Sequence, residues 1–306
     1  MIIPKKKHIV STHPDKILLP CFTPSPLEQD TTMSFSLDLR YQICLQPIEL
    51  PVFNPIALEL LQLLADPDTD IIHITETIHK DPALAVQILK LANSPAYAGR
   101  ARMETIKDSV NRLGARLITN LAMAASQSAL HTSAIPEVNG LMQDLWQHSY
   151  ACALGCRSLA NSTGHNDLSE NAYLAGLLHD IGKLYLLKAM ERIYLNGEIS
   201  FNLDRETVLD VFSDMHVEQG YRLMWHWNIP PMYCDVVAKH HCEFCNSDDI
   251  LTTIVRLVNF NSMQYNLNLY PQVLQPCDVS AEIAVLNASE SALKQLEKDM
   301  CSSSAA

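Results

Sequence analysis

The sequence predicts an all-α fold. From Asn54 onward no stretch alternates apolar and polar residues long enough to read as a strand, and only nine glycines occur in 306 residues. Segment after segment instead shows helix grammar: a polar cap, a proline in the first turn, then an apolar stripe at spacings of three and four. With 48% hydrophobic and 18% charged residues, the composition is that of a globular chain.

Residues 1–40 mix Pro, Thr, Ser and charge without period and read as a flexible N-terminal extension, in which Met33 offers an internal start. The folded unit is expected over 41–300, as an N-terminal helical lobe (41–135) and a second helical lobe (138–300), with 301–306 a disordered tail. Asn54 caps a helix that has Pro55 in its first position and a stripe of Ala57, Leu58, Leu60, Leu61 and Leu64 ending at Asp66-Pro67. Asp70 opens IIHITETIHK and Asp81-Pro82 opens ALAVQILKLAN. TIKDSVNRLG ends on Gly114, and ARLITNLAMAASQSAL follows at once. Pro136 marks the boundary between the lobes.

The second lobe opens near Val138 with GLMQDLWQHSYACALGCRSLA. Leu145, Ser149, Cys152 and Cys156 form its small apolar side, with His148 beside them. A polar loop over 161–170 leads to one apolar helix, 172–190, with His179-Asp180-Ile181-Gly182-Lys183 in its middle. A short segment over 204–212 precedes a helix capped by Ser213 or Asp214 that carries His216, Glu218 and Gly220. MYCDVVAKHHCEF ends in His240-His241, ILTTIVRLVNFNSM carries Asn259, and two short helices within 280–300 close the fold.

Charge and cysteine content narrow the function classes. A net charge of −12 and a pI of about 5.4 oppose binding to nucleic acid or anionic lipid, and Lys5-Lys6-Lys7 is the sole basic run. Nine scattered cysteines, an odd number, read as free thiols of a cytoplasmic protein. Their closest pair, Cys242 and Cys245, lacks the second CxxC of a zinc knuckle. Asp15, Lys16 and the prolines around them break the opening residues, which do not read as a signal peptide, and no window is apolar enough for a membrane span. Neither GxxxxGK[ST] nor GxGxxG is present.

A His and an Asp in so apolar a helix need a charge, a hydrogen bond or a metal to offset their desolvation. His148, His179-Asp180, His216, His240-His241 and Asn259, each on its own predicted helix, follow the pattern by which helical bundles build metal centres from inward-facing ligands. Imidazole and carboxylate ligands without thiolate suit one or two divalent ions such as Fe, Mn, Zn or Ni, which activate water against phosphate esters. Lys183, three residues beyond Asp180, returns to the carboxylate's face. It either donates to a bound phosphate, as the candidate catalytic residue, or snorkels to solvent. Adjacent residues diverge on a helix, so either His240 or His241 is the inward one. Glu218 reads as a partner to an imidazole N–H or as an exposed residue, and Trp146, Trp225 and Trp227 as packing between the lobes.

The phrases LPVFNPIALELLQLLADPDTDI, IHKDPALAVQILKLANSPAY, IKDSVNRLG, LAGLLHDIGKL, MHVEQGYRLMWHWNIP and AKHH resemble the HDOD family of bacterial signalling proteins, from about Leu45 to Met300. That family belongs to the HD superfamily of metal-dependent phosphohydrolases, whose pattern is H…HD…D. His148, His179 and Asp180 match it, and Asn259 stands where the last metal-binding Asp is expected. The resemblance implies a two-lobed all-helical unit in signal transduction, acting through an unknown signalling partner protein, with a nucleotide or other phosphate as the class of ligand sensed. Its site residues are commonly eroded, whereas this chain keeps His148, His179, Asp180, His216, His240 and His241. The tripeptide GYP of the related cyclic di-GMP phosphodiesterases is missing after His241, so that activity is not expected. Two functions follow: a metal-binding, non-catalytic signalling module, or a metal-dependent phosphohydrolase.

Overall fold

The computed structural model describes residues 31–48, 52–64, 69–95, 97, 99, 101–197, 200–242, 248–265, 267 and 278–302. These residues form α-helices and one short 3-10 turn, with no strand among them. The first part holds α1 (Thr31–Leu45), α2 (Pro55–Leu63), α3 (Ile71–His79), α4 (Pro82–Ala92), α5 (Ile106–Leu113) and α6 (Ala115–Leu130). The second holds α7 (Pro136–Ser162), α8 (Ser169–Leu178), α9 (Ile181–Asn196), α10 (Arg205–His226), α11 (Pro231–Lys239), α12 (Ile250–Gln264), α13 (Ser280–Val285) and α14 (Glu290–Ser302).

Side-chain caps fix where the early helices begin. Asn54 Oδ1 accepts from the backbone N–H of Ile56 (2.8 Å) and Ala57 (3.2 Å), Asp70 from His73 (2.9 Å), and Asp81 from Leu84 (3.0 Å). Thr105 and Asp108 exchange reciprocal bonds as a capping box on α5. Each cap contributes about 1 kcal/mol. Asn54 Nδ2 also donates to Asp81 Oδ2 at 3.2 Å, tying the start of α2 to that of α4.

Helices α2–α6 enclose one core around Leu60, Ile74, Ile78, Ile88, Ile106, Val110, Ile118 and Leu121. A larger core gathers Leu145, Leu159, Leu178, Leu186, Phe212, Leu223, Val237 and Leu257 from α7–α12. Helices α2 and α6 serve both, because Ala57, Leu58 and Leu61 on one and Met123 and Ala124 on the other face the larger core.

Five expectations need correction. The extension over 1–40 ends inside α1, whose Leu39 and Ile43, one turn apart, are buried in the larger core, while Arg40 pairs with Asp210 (2.9 Å) and Asp214 (2.5 Å) of α10. Its apolar residues, Met33, Phe35, Leu37, Leu39, Tyr41, Ile43 and Leu45, fall at every second position rather than along a helical stripe, so no helix period announced it. The tail over 301–306 likewise starts within α14, which runs to Ser302. The helix expected over 172–190 is two helices, α8 and α9, broken at His179-Asp180. The expected break near Ser213 is absent, and Asp204 caps a continuous 22-residue α10 by accepting from Thr207 N–H at 2.9 Å. Trp146 packs on His131 at the end of α6 and Trp227 packs edge-on to Phe53, but Trp225 is 54% exposed beside Tyr221. Residues 1–30 and 303–306, Asp66-Pro67, Cys245 and Cys277 lie outside the described residues. Among the described ones, no helix is long and apolar enough to cross a membrane.

Two glycines set the helix spacing that the second half requires. A Cβ on Gly176 of α8 would meet Cys152 O of α7 at 2.7 Å, and one on Gly182 of α9 would meet His216 O of α10 at 1.9 Å. Gly220 faces Gly182 across the same crossing, with Gly182 N 3.2 Å from its own Cβ position. Backbone therefore touches backbone on both sides of the His179-Asp180 break. Gly182→Ala should cost about 1–3 kcal/mol by overpacking against immovable main chain. Gly140→Ala should gain about 0.5–1 kcal/mol, because Gly140 is exposed within α7 and nothing lies within 4 Å of its Cβ position. Thermal denaturation of the two variants reads both effects, and a neutral Gly182→Ala would show that the crossing is not tight.

His131 adds a pH dependence independent of the site below. It is buried against Trp146, its Nδ1 lies 2.6 Å from Gln127 O, and burial pulls its pKa down to about 4. The unfolded chain binds a proton at about pH 6.5 that the folded chain refuses until about pH 4, so stability is full above that window and falls as pH drops through it. Melting temperature followed from neutral pH down to about pH 5 should fall more steeply for the wild type than for His131→Gln.

Candidate metal centre

The break between α8 and α9 places the key dipeptide. Asp180 leaves helical geometry (φ −105°, ψ 17°), and Lys183 N–H closes a tight turn onto its carbonyl at 2.8 Å. It stands at the N-cap of α9, yet its carboxylate makes no cap bond. It projects into the interior, where the positive end of the α9 dipole favours the charge.

Four imidazoles surround that carboxylate. His148 Nε2 of α7 and His179 Nε2 lie 3.2 and 3.4 Å from Asp180 Oδ2, while His240 Nε2, after α11, and His216 Nε2 of α10 lie 3.5 and 3.7 Å from Oδ1. Each ring is oriented through its other nitrogen. Nδ1 of His148 meets Leu267 O (2.9 Å), that of His179 Gly176 O (2.8 Å), that of His216 Phe212 O (2.6 Å), and that of His240 Val237 O (2.9 Å). A carbonyl can only accept, so these contacts put an N–H on Nδ1 and turn each Nε2 inward. His240 is thus the inner member of its pair. His241 is exposed, its ring 4.1 Å from that of His240 and 5.1 Å from that of His216, and a ligand atom of each of His241, His240, His216 and Asp180 falls within 4.8 Å of the others.

The donor set fits a cation. Asp180 Oδ1, His216 Nε2 and His240 Nε2 are buried without a hydrogen-bond partner. Three acceptors aimed at one another from the dry interior are costly unless a positive charge sits among them. Burial opposes ionisation of Asp180, but Lys183 Nζ at 2.6 Å and the neighbouring imidazoles hold its carboxyl well below the usual range. Burial pulls His179 and His216 down to about 3, so both rings stay neutral, as a metal ligand must. In the protein alone, the 3.3 Å approach of His148 Nε2 to His179 Nε2 needs one proton. It resides on His148, where burial is outweighed by the Cys152 sulfur and the Asp180 carboxylate and the pKa rises to about 10.

The other expected residues fall as follows. Lys183, 6% exposed, neither snorkels to water nor stands free for a phosphate, because its ammonium lies on Asp180 Oδ2. Asn259 is buried on α12 with its carbonyl accepting from Ser262 Oγ at 2.6 Å, and its carboxamide joins none of the contacts around Asp180. Glu218 is exposed on α10. Cys152, which by sequence is one of the small residues of the α7 packing face, has its Sγ 3.8 Å from His148 Nε2. The signal was there in its spacing, one helical turn beyond His148.

Removing one partner of a buried ion pair leaves the other uncompensated, at about 3–5 kcal/mol. Lys183→Met should therefore destabilise the chelator-treated protein by about that much, and by less after divalent metal is supplied, because a cation at Asp180 replaces the lost charge. Denaturant titration in the two conditions measures this. An equal loss in both would show that no cation reaches the carboxylate.

Comparison with known proteins agrees with the helical architecture. A model of the HDOD domain family matches residues 50–243. An HDOD domain protein of unknown function from Geobacter sulfurreducens has a similar structure, at TM-score 0.62 and 21% identity, covering 89% of this chain and 99% of that one. A Shewanella amazonensis protein, whose name proposes a metal-dependent phosphohydrolase, superposes at TM-score 0.67 and 19% identity over 89% of this chain and 98% of its own. An uncharacterised Treponema pallidum protein is 27% identical over 197 residues, which are 63% of this chain, and the chain spans 38% of that protein's length. With the family match covering both the capped helices α2–α5 and the His179-Asp180 turn, the chain belongs to the HDOD family.

Proposed function

We propose that this protein is a signal-transduction module in which the Asp180 cluster binds a divalent metal without catalysing a reaction, and which acts by offering a surface to a partner protein. The observation that supports this reading is enclosure. Exposure is 2% at His148, 1% at His179, 1% at Asp180 and 3% at His240. A hydrolytic centre must admit a phosphate ester and a water to its ion, whereas this one is enclosed, on all but its His241 edge, by the helices that supply its ligands. The candidate phosphate-binding residue, Lys183, is engaged with Asp180, and a neutral Asn259 stands where the family resemblance expects a carboxylate. His148, His179, Asp180, His216 and His240 would hold the ion, with His241 at the edge. Fe, Mn, Zn or Ni suits the set, and the bound ion would cross-link α7, the α8–α9 turn, α10 and α11. A nucleotide or other phosphate is the ligand class such a module would sense.

The second reading, a metal-dependent phosphohydrolase with Lys183 orienting the phosphate, is favoured by one observation: His241, beside His216 and His240, is exposed and gives the cluster an edge toward solvent. Elemental analysis of purified protein, together with a screen of metal-loaded wild type and Asn259→Asp on generic phosphomonoesters and phosphodiesters, separates the two. The expected result is retained metal that His179→Ala loses, with no turnover by the wild type. Turnover by the wild type that His179→Ala abolishes would replace the first reading with the second.

A further inference from the structure

Cys152 lies on α7 one turn beyond His148, and residues four apart on a helix present their side chains to the same face. Its side chain is buried (1% exposed), with Sγ 3.8 Å from His148 Nε2 and 3.9 Å from Nδ1. Nδ1 is committed to Leu267 O, which leaves Nε2 as the nitrogen able to share a ligand with the sulfur. A ligand atom of each of His148, Cys152 and His179 lies within 4.8 Å of the other two, a group separate from that of Asp180, His216, His240 and His241. Two donors that bind one ion at about 2.0–2.3 Å stand roughly 3.3–3.8 Å apart when the angle between them is near tetrahedral. The spacings of 3.3 Å between His148 and His179 Nε2, 3.4 Å from His179 Nε2 to Asp180 Oδ2 and 3.8 Å from His148 Nε2 to Cys152 Sγ fall within that range, and the 3.2 Å from His148 Nε2 to Asp180 Oδ2 lies just below it. Cys156, one turn further along, instead fills the space over Gly176, its Sγ 2.8 Å from that residue's Cβ position.

We propose that Cys152 is a thiolate ligand of this centre, on its His148–His179 side. The inference rests on reading the cluster as a metal site and deepens it by assigning the metal class. Asp180 then divides a sulfur-containing half from an imidazole half formed by His216, His240 and His241. The thiol proton passes to solvent as the sulfur takes up the ion. A soft donor beside imidazoles favours Zn²⁺, Fe²⁺, Co²⁺ or Ni²⁺ over Mn²⁺ or Mg²⁺.

Cobalt(II) added to chelator-treated protein provides the test. The expected spectrum combines visible d–d bands with a near-ultraviolet thiolate-to-cobalt charge-transfer band, which disappears in Cys152→Ser and persists in Cys156→Ser and Cys242→Ser. Zinc retention against a competing chelator should fall at least about tenfold in Cys152→Ser, while Mn²⁺ affinity stays unchanged. Cobalt bound without the charge-transfer band, or a band that survives in Cys152→Ser, overturns the thiolate assignment and leaves the metal site standing. Wild-type protein that binds no cobalt overturns both. If Cys152→Ser and Cys152→Ala both fail to fold, X-ray absorption of the zinc-loaded wild type decides: a sulfur at about 2.3 Å supports the assignment, and a shell of nitrogen and oxygen alone refutes it.

Discussion

The second half of this protein is built around the cost of a carboxylate sealed from water. An isolated charge in such an interior is prohibitive, and Asp180 is tolerated because an ammonium, four imidazoles and a helix N-terminus converge on it. Lys183 supplies the compensating charge from one turn away. The imidazoles arrive from α7, α10 and the end of α11, and each is locked by its own backbone carbonyl, so the ring positions follow from the helix positions. The arrangement over-supplies acceptors: Asp180 Oδ1, His216 Nε2 and His240 Nε2 face one another without donors. That surplus is the difference between a structural ion pair and a ligand cage.

Convergence of this kind needs close helix approach, and glycine provides it. Gly176 lies three residues before His179, and Gly182 two residues after Asp180. Each sits where a methyl group would strike the main chain of the neighbouring helix. The first brings α7, with His148 and Cys152, against α8; the second brings α10, with His216, against α9. In the HDIG portion of the chain, the glycine is as much a part of the site as the ligands it positions.

Much of this was legible in the sequence, for local reasons. Asn54, Asp70, Asp81 and the Thr105–Asp108 box announce their helices because capping is a short-range interaction written within three or four residues. The histidines could be picked out because ionisable residues on apolar helices require a partner. What the sequence hid depends on tertiary packing. The apolar period runs unbroken from Ala172 to Met190, so nothing local marks the break that turns Asp180 inward. Ser213 and Asp214 resemble a cap, but Asp204 has already started the helix and α10 passes straight through them. Helix α1 spaces its apolar residues at every second position, a pattern that does not read as a helix before the larger core it docks on is known. Cys152 looked like one more small residue on a packing face, since only the fold brings it to within reach of His148 and His179 together.

The order of the ligands along the chain bears on how the site forms. His148, the His179-Asp180 pair, His216 and His240 come from four separate stretches, each parted from the next by a helix or most of one. Contacts so distant in sequence form late and together, because each loop must be closed before the next contact stabilises anything. The cage therefore exists only in the completely assembled second core. A ligand that needs all of these rings binds the native state and not the unfolded chain, and by mass action it draws the folding equilibrium toward the native side as its concentration rises above its dissociation constant. In such a fold the site reports on the integrity of the entire helical array, and a lesion in any one of the contributing helices is felt there.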